Sequence, residues 1–513
     1  MQAKILWADD EIDLLKPHII FLEKKGYEVI TVNSGGEAIE KCEETAFDII
    51  FLDENMPGIS GLDALSRIKA IRPLVPVVMI TKSEEESIME EAIGGKIADY
   101  LIKPVNPNQI LLSLKKNLEQ SKLVSEKTNT NYQREFRQIG MEISERLNAK
   151  EWVAIYKKLV YWDIEFSELE DQGMQEVLQM QLKEANSQFS RFIEENYLNW
   201  INGVDERPQM LHTLFKDKIN PKLDEPLFLI VVDNLRYDQY QMLRPALRKY
   251  FNFDEESVIF SILPTATQFA RNALFAGLLP SEIAKKYPDY WVDDEEEGGK
   301  NNFEKELLQK QLERLGRNLK LGYHKITNLD AGKKLSDNFN HVKNNDLNVI
   351  VYNFVDMLSH AKTDMKVIRE LADDEAAYRS LTESWFEHSP LQDIFKKISQ
   401  SGGKVILTTD HGTVRVNEPV KIVGPKSLNT NLRYKAGRNL DFNPKKVFEI
   451  KNPQDAFLPK GNLSSQYVFC RNNDFFVYPN NYNHYVNHFK DTFQHGGISL
   501  EEILIPYVEM SAK

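Results

Sequence analysis

Short apolar runs separated by helix-length amphipathic segments recur in two parts of this 513-residue chain. The first part contains KILWA, EVITV, DIIFLD, PVVMIT and DYLIKP, and the second contains PLFLIVVD, NVIVYNFVD and GGKVILTTDHG. This alternation predicts parallel sheets wrapped by helices, and therefore an α/β fold for both parts. In such sheets ligands bind at the edge where the strands end, and several of these runs end in acids.

The region between the two alternating parts has a different pattern. Glycine and proline are nearly absent there, and apolar residues recur at helical spacing, as in Ile155, Leu159, Trp162 and Phe166. A chain of this length also exceeds what one hydrophobic core usually supports. We therefore predict an α/β domain at 1–118, a helical bundle or connector at 119–205, and a second α/β domain at 206–513. The connector is either a passive spacer or a relay of the first domain's state.

Bulk properties narrow the class of protein. The formal net charge of −13 opposes capture of a phosphate polymer, so direct binding to double-stranded DNA is not expected. Cys42 and Cys470 lie far apart, which excludes a disulfide framework and a thiolate zinc site. No signal-peptide pattern follows Met1, and the longest apolar runs, such as Leu227–Val232, are too short to cross a bilayer. We expect a cytoplasmic protein without membrane contact.

Charged residues stand at three strand ends of the first part: Asp9 and Asp10, Asp53, and Lys103. Carboxylates that converge there would repel one another unless a hard cation such as Mg²⁺ lay between them. Such a pocket suits phosphoryl transfer, with Asp53 as the attacking carboxylate and Lys103 paired with the transferred group. The Thr81 hydroxyl can donate to that group. The structural alternative is that these aspartates only cap the helices that follow.

These residues resemble the response-regulator receiver family, in the DDE near the start, LDENMPGISG, Thr81, and the Lys103-Pro104 pair. The resemblance implies a flavodoxin-like fold and phosphorylation of Asp53 by a cognate sensor histidine kinase. It implies that phosphorylation rearranges the face of the fourth helix, fifth strand and fifth helix, around residues 84–116, and promotes homodimerisation. The implied Mg²⁺ ligands are Asp9, Asp10, Asp53 and Asn55, and the implied switch residues are Thr81, Tyr100 and Lys103.

The second alternating part carries carboxylates and imidazoles at strand ends and in loops, without cysteine. They are Asp233, Asp356, His360, Asp410, His411 and His495. Such a set suits zinc or manganese, and two neighbouring ions can clamp both oxygens of an in-line phosphoryl displacement. Six ligands divide naturally into two sets of three. Asp356 and His360 are four residues apart, which puts both on one face of a helical turn.

A threonine in LPTATQFAR stands where a helix is predicted to begin. Thr267 follows Pro264 and precedes a helix-forming run, so unpaired amides and the helix dipole favour a phosphate there. A threonine hydroxyl is a poor nucleophile at neutral pH, and ligation to zinc would lower its pKa. Thr265 is the alternative nucleophile. Arg271, one turn later, either contacts a substrate phosphate or is a surface helix residue.

Two other features of this part bear on the site. His484 and His488 are four residues apart and form a competing metal pair, although histidines between aromatic residues more often pack or lie at the surface. The segment KKYPDYWVDDEEEGGKNN combines an acidic run with paired glycines, which predicts an exposed loop or lid. Such a run is usually solvated surface.

The motifs look like the alkaline phosphatase superfamily and, within it, the PglZ-type domain. The combination with a receiver resembles the PorX-type response regulators of type IX secretion. The resemblance implies that Thr267, the second threonine of the PTxT pattern, attacks phosphorus and forms a phosphothreonine that water releases. The implied zinc ligands are Asp233, Asp410 and His411, with Thr267, for one ion and Asp356, His360 and His495 for the other.

The leading hypothesis is a phosphorylation-controlled phosphodiesterase. A threonine and only two ions favour a phosphodiester, which carries one negative charge, and the resemblance adds small cyclic and linear oligonucleotides as substrates. The alternative is a non-catalytic, zinc-stabilised output module that binds a transcription or secretion component. A DNA-binding regulator is disfavoured by the acidic charge and by the lack of a compact basic helix-turn-helix unit after residue 118.

Overall fold

The chain forms two compact units, residues 1–135 and 136–513. The computed structural model describes residues 3–73, 75–82, 97–168, 172–293, 299–372, 374–425, 429–460 and 465–513, with the side chains of 119–130, 168 and 172 left out. Most of the acidic run in the predicted lid and most of the fourth helix of the predicted switch face lie outside the described residues.

The first unit contains a five-stranded parallel sheet in the order second, first, third, fourth, fifth strand. Its strands are Lys4–Ala8, Glu28–Val32, Ile49–Asp53, Val77–Thr81 and Asp99–Ile102. The described helices that follow strands are Lys16–Lys24, Gly35–Glu44, Gly61–Ile71 and Pro107–Ser144. The third and fourth strands are buried at every position, as expected of a parallel sheet covered on both faces. The predicted flavodoxin-like fold is confirmed.

Three long helices make up the connector: Pro107–Ser144, Ala149–Glu168 and Gln172–Ile201. The predicted helical character is therefore confirmed, while the predicted boundary at residue 118 lies inside the first of these helices. Within the second unit, Phe189 and Trp200 of the third helix pack against Phe260, with ring centroids 6.4 and 5.6 Å apart. The aromatic contacts join this helix to the edge of the large sheet.

The second unit is built on a six-stranded sheet. In spatial order its strands are Phe251–Phe260, Leu504–Ala512, Lys404–Thr408, Leu227–Val232, Leu347–Tyr352 and Leu321–Ile326. The last four are mutually parallel, whereas Leu504–Ala512 runs antiparallel to both of its neighbours. The three strands predicted from the sequence lie side by side at its centre. Consequently the acids that follow them, at 410, 233 and 356, meet at one sheet edge.

Helices cover the faces of this sheet and three small sheets lie beside it. The described helices are Leu211–Leu214, Tyr237–Arg248, Thr267–Ala276, Pro280–Lys286, Glu304–Arg314, Leu329–Asp337, Phe339–Val342, Phe354–Asp364, Lys366–Leu371, Glu375–Glu387, Pro390–Gln400, Tyr482–Phe489 and Leu500–Ile503. The small sheets pair Val414–Arg415 with Phe493–Gln494, Glu418–Val423 with Asp441–Phe442 and Asp474–Val477, and Gln466–Cys470 with Tyr434–Gly437 and Val447–Ile450. Among the described residues no helix combines the length and apolar character of a bilayer span.

Candidate active site

The receiver unit gathers its predicted acidic residues at the strand ends. Carboxylate oxygens of Asp9, Asp10 and Asp53 lie within 4.8 Å of one another. Lys103 Nζ lies 2.9 Å from Asp9 Oδ2 and 3.0 Å from Asp53 Oδ1, and the Lys103–Pro104 peptide is cis. Burial raises the pKa of Asp53 to about 6, with repulsion by Asp9 adding to the effect and Lys103 opposing it. A divalent cation among these oxygens would relieve the repulsion between the carboxylates.

The predicted switch residues occupy different surroundings. The buried hydroxyl of Thr81 donates to the carboxylate of Glu54, the residue after Asp53. Tyr100 is half-buried against the core of the receiver sheet. Asn55, two residues after Asp53 in the chain, is exposed. If Thr81 donated to a phosphoryl group on Asp53, its hydroxyl would therefore give up the Glu54 carboxylate as acceptor and take the phosphoryl oxygen instead.

In the second unit the six predicted metal-binding residues form two clusters of three. Within each cluster one ligand atom per residue lies within 4.8 Å of the others. The first cluster, which is fully buried, contains Asp233, Asp410 and His411, and the second contains Asp356, His360 and His495. Asp356 and His360 both belong to the helix Phe354–Asp364, as their spacing predicts. The His360 side chain is 63% exposed, so the second cluster is open to solvent on that side.

Two imidazoles are held with their Nε2 lone pairs towards the acids. His411 Nδ1 lies 3.1 Å from the Gly412 carbonyl oxygen, and His495 Nδ1 lies 3.2 Å from the Thr265 carbonyl oxygen. Since a carbonyl only accepts, Nδ1 is the donor in each ring, and Nε2 is the atom of each ring that can bind a cation. Burial, together with the neighbouring histidines, lowers the pKa of His495 and keeps its ring neutral.

Two of the three carboxylates in these clusters have pKa values raised above the ordinary range. Burial raises the pKa of Asp233 against the opposing charge of Arg271, and burial with the charge of Asp233 raises the pKa of Asp356. The fully buried Asp410 Oδ2 has no hydrogen-bond partner among the described residues, and its nearest ion-pair atom is Arg271 Nη1 at 3.7 Å. Three carboxylates and three imidazoles in two clusters fit a pair of divalent cations, and carboxylate with imidazole suits zinc.

Thr267 lies beside the first cluster. It is the first residue of the helix Thr267–Ala276, as predicted, and its Oγ lies 3.1 Å from His411 Nε2 and 3.4 Å from Asp233 Oδ1. The Thr265 hydroxyl is fully buried and is used elsewhere, because it donates to the Gly497 carbonyl at 2.9 Å and accepts from the Gly496 N–H at 3.0 Å. Of these two threonines, only Thr267 turns its hydroxyl towards the acids and imidazoles.

The interpretation of Arg271 as a surface residue is wrong, since its side chain is 1% exposed. Its guanidinium lies 2.6 Å from Asp233 Oδ2 and 2.5 Å from Glu304 Oε1. Glu304 in turn accepts from the hydroxyl of Tyr323 and lies 3.1 Å from Lys325 Nζ. The guanidinium therefore contacts a carboxylate of the first cluster and a second buried acid.

Asn234 is a site residue that the sequence reasoning missed. It follows Asp233, is fully buried, and has a left-handed backbone with φ of 65°. Its N–H donates to Asp410 Oδ1 at 3.3 Å, and its Nδ2 lies 3.4 Å from Asp356 Oδ1. The amide therefore contacts an acid from each cluster. An asparagine directly after a strand-end acid, tolerant of the left-handed region, was the available signal.

The third connector helix, Gln172–Ile201, also contacts the loops of the site, a contribution not anticipated from the sequence. The N–H of Leu263, just before the loop that carries Thr267, donates to the buried Tyr197 hydroxyl at 2.8 Å. Ser190 donates to the Ile498 carbonyl at 3.2 Å, three residues after His495. Asn186 accepts from the Leu500 N–H at 2.7 Å. One helix thus contacts both the segment just before Thr267 and the loop that carries His495.

The competing histidine pair lies apart from these clusters. His484 and His488 occupy the helix Tyr482–Phe489, with stacked rings whose centroids are 6.3 Å apart. Among the described residues they join no group of three potential metal ligands. They remain a two-residue pair on a partly exposed helix.

Comparison with known families divides the chain into three matched regions. Residues 5–115 match the response regulator receiver domain, and residues 122–201 match the PorX response regulator linker domain. Residues 214–510, more than half of the chain, match the BREX system PglZ alkaline phosphatase-like domain. The three matches occur in the order expected of a PorX-type architecture.

Curated relatives match the receiver region. Alginate biosynthesis transcriptional regulatory protein AlgB of Pseudomonas syringae is 36% identical over 118 residues, which are 23% of this chain and 26% of that protein. Alkaline phosphatase synthesis transcriptional regulatory protein PhoP of Bacillus subtilis is 31% identical over 127 residues, 24% of this chain and 52% of that protein. The chain thus spans about a quarter to a half of the length of these relatives. A CheY-like receiver structure from Methanospirillum hungatei is 28% identical and covers 23% of this chain and 96% of its own, with a TM-score of 0.23.

Proposed function

Because the chain belongs to the PglZ alkaline phosphatase-like family and carries a response regulator receiver domain, we propose that it is a phosphorylation-controlled phosphodiesterase with two zinc ions and Thr267 as nucleophile. The observation that carries the proposal is the position of one threonine hydroxyl. Its oxygen lies within 3.4 Å of both His411 Nε2 and Asp233 Oδ1, at the start of a helix. A helix start favours a bound phosphate, and the neighbouring acids and imidazoles suit cations that activate a hydroxyl.

The residues of the chain divide the reaction into two displacements. In the first, the Thr267 hydroxyl releases its proton to solvent, the Oγ–phosphorus bond forms, the bond to the leaving oxygen breaks, and the leaving alkoxide takes a proton from solvent. In the second, the oxygen of a water molecule bonds to phosphorus and releases a proton, the phosphorus–Oγ bond breaks, and Thr267 Oγ takes up a proton, which restores the hydroxyl and releases the phosphate monoester. When bound, the cations would lower the pKa of the hydroxyl and neutralise charge on the transferring group. The ion pair of Arg271 with Asp233 fixes one carboxylate of the first cluster in place.

A diester is favoured over a monoester because the second unit offers two metal clusters among its described residues, and its buried Arg271 is engaged by Asp233 and Glu304. A phosphodiester carries one negative charge and a monoester two at neutral pH, so a diester needs less neutralisation. Small cyclic and linear oligonucleotides, the substrates suggested by family resemblance, are diesters of this kind.

The test compares Thr267→Ala with Thr267→Ser in the full chain, using bis(p-nitrophenyl) phosphate as substrate. We expect the alanine variant to lose at least about 10³-fold in kcat, because it lacks the attacking oxygen, and the serine variant to retain much of the activity. Zinc content measured on the same samples should stay near two ions in the serine variant. Equal hydrolysis by wild type and the alanine variant would show that the nucleophile is misassigned. Two firmly bound zinc ions without hydrolysis of any diester would favour a zinc-stabilised interaction module.

Control by the receiver is tested separately. We propose that a cognate sensor histidine kinase phosphorylates Asp53 and that the modified protein dimerises, with a role in type IX secretion suggested by the PorX linker match. Treatment with acetyl phosphate and Mg²⁺ should shift the sedimentation of wild type towards a dimer and leave Asp53→Ala monomeric. Identical sedimentation of the two proteins would remove dimerisation from the proposal.

A further inference from the structure

We infer that Asn234 is a positioning residue that couples the two metal clusters, so that its side chain sets the affinity of the second cluster for its cation. The inference rests on the proposed metal centre. Asn234 is not itself proposed as a metal ligand. It acts through Asp356, which belongs to the second cluster, while its own backbone is fixed by the first.

The contacts of Asn234 run in two directions. Its N–H donates to Asp410 Oδ1 at 3.3 Å, in the first cluster. Its side-chain Nδ2 lies 3.4 Å from Asp356 Oδ1 and donates to Ser359 Oγ at 3.2 Å. The Ser359 hydroxyl in turn donates to the Asp356 carbonyl at 2.7 Å. The amide and the hydroxyl therefore hold the carboxylate and the backbone of the same ligand.

The carboxylate of Asp356 is divided between these neighbours. Its Oδ1 faces Asn234 and His495, and its Oδ2 faces His360 Nε2 at 3.6 Å. Since a carboxylate oxygen only accepts, the amide must present Nδ2 to it, which fixes the orientation of the Asn234 side chain. Partners that orient a metal ligand in this way typically change metal affinity by about 10- to 100-fold when removed.

A competing explanation is that asparagine is present only for its backbone. Asparagine tolerates the left-handed region better than most residues, and φ here is 65°. However, the buried Oδ1 has no hydrogen-bond partner among the described residues. A buried polar atom without a partner is unfavourable, so a turn that needed only the backbone would be served better by glycine. Glycine therefore separates the two explanations, because it keeps the turn and removes the amide.

The experiment measures zinc affinity of Asn234→Gly in the full chain. Chelator-treated protein is titrated with zinc chloride by calorimetry, with Mg²⁺ present to occupy the receiver site. We expect wild type to take up two zinc ions and the variant to bind one of them about 10- to 100-fold more weakly. Asn439→Gly is the matched control, because Asn439 is an exposed asparagine with φ of 50° outside the site. It should bind both ions as wild type does.

A second variant keeps the test decisive if glycine at 234 prevents folding. Ser359→Ala leaves the amide in place and removes the hydroxyl that fixes it, so it should weaken the same ion by several-fold with little change in melting temperature. Unchanged affinity for both ions in folded Asn234→Gly, or in Ser359→Ala if the glycine variant does not fold, would overturn the inference. Fewer than two zinc ions in wild type would instead refute the proposed metal centre.

Discussion

Replacing Asp53, the proposed phospho-acceptor, with asparagine should stabilise the receiver when Mg²⁺ is absent. Burial raises the pKa of Asp53 from 3.8 to about 6. The folded receiver therefore holds this proton more tightly than the unfolded chain does, and ionisation of the carboxyl destabilises the fold. This destabilisation is absent below about pH 4, grows between pH 4 and 6, and is complete at neutral pH.

The size of the effect follows from the same shift. A pKa raised from 3.8 to about 6 corresponds to at most about 3 kcal/mol at neutral pH, and solvent near the pocket reduces this to about 1–3 kcal/mol. The amide introduced by Asp53→Asn is neutral, so this destabilisation disappears, while Lys103 retains its ion pair with Asp9 at 2.9 Å. Saturating Mg²⁺ should reduce the advantage, because the cation binds three carboxylates in wild type and only two in the variant, and so stabilises wild type more.

Hydrogen–deuterium exchange of the full chain, followed by mass spectrometry, isolates the receiver from the rest of the protein. Peptides that cover the strand Ile49–Asp53 should exchange about 5- to 100-fold more slowly in Asp53→Asn at pH 7.5 without Mg²⁺. Asp13→Asn, whose side chain is 86% exposed, should exchange as wild type does. Equal or faster exchange in Asp53→Asn at neutral pH would refute the reasoning about the buried charge.

Three other predictions concern the second unit. Tyr197→Phe leaves the Leu263 N–H without its acceptor, so the free energy of unfolding should fall by about 1–3 kcal/mol. For a chromogenic diester, kcat should fall by about 10-fold while KM stays within about two-fold. The control Tyr485→Phe, on an exposed helix, should change neither the stability nor the kinetics. Arg271→Met leaves the buried Asp233 without its ion pair and Glu304 with Lys325 alone. The substitution should destabilise the chelator-treated protein by about 3–5 kcal/mol in urea denaturation, with zinc restoring part of the loss. His484→Ala should leave the zinc content at the wild-type value. Loss of one ion in this variant would instead show that His484 is a zinc ligand.

The sequence was informative where function depends on local pattern. Asp233 and Asp410 follow strongly apolar runs that could only be buried strands, and Thr267 precedes a clear helix former, so their placement at element ends followed from nearest neighbours in the chain. Asp356 and His360 were linked by helical spacing alone. Local pattern therefore linked Asp356 to His360 and placed Asp233 and Asp410, whereas the assignment of His495 to the second cluster came from the family resemblance. The metal identity and the role of the hydroxyl stay predictions.

The parts that were missed depend on contacts between distant segments. The antiparallel strand Leu504–Ala512, second from one edge of the sheet, lies between strands that begin about 250 and 100 residues earlier. No local pattern specifies that insertion. Arg271 looked like a surface residue because its counter-charges, Asp233 and Glu304, come from other elements. The connector showed only helical periodicity, which indicates that a helix has a buried face but not what covers it.

The contacts of the third connector helix restrict where recombination can join a new sensory domain to such a protein. A crossover between residues 201 and 214, where the matched linker ends and the matched phosphatase-like region begins, would separate Tyr197 from the Leu263 amide and Asn186 from the Leu500 amide. After fusion to a new sensory module at that point, the loop that carries Thr267 would lack these hydrogen bonds. Productive gene fusions should therefore retain the Gln172–Ile201 helix with the PglZ alkaline phosphatase-like domain and exchange only what precedes residue 136.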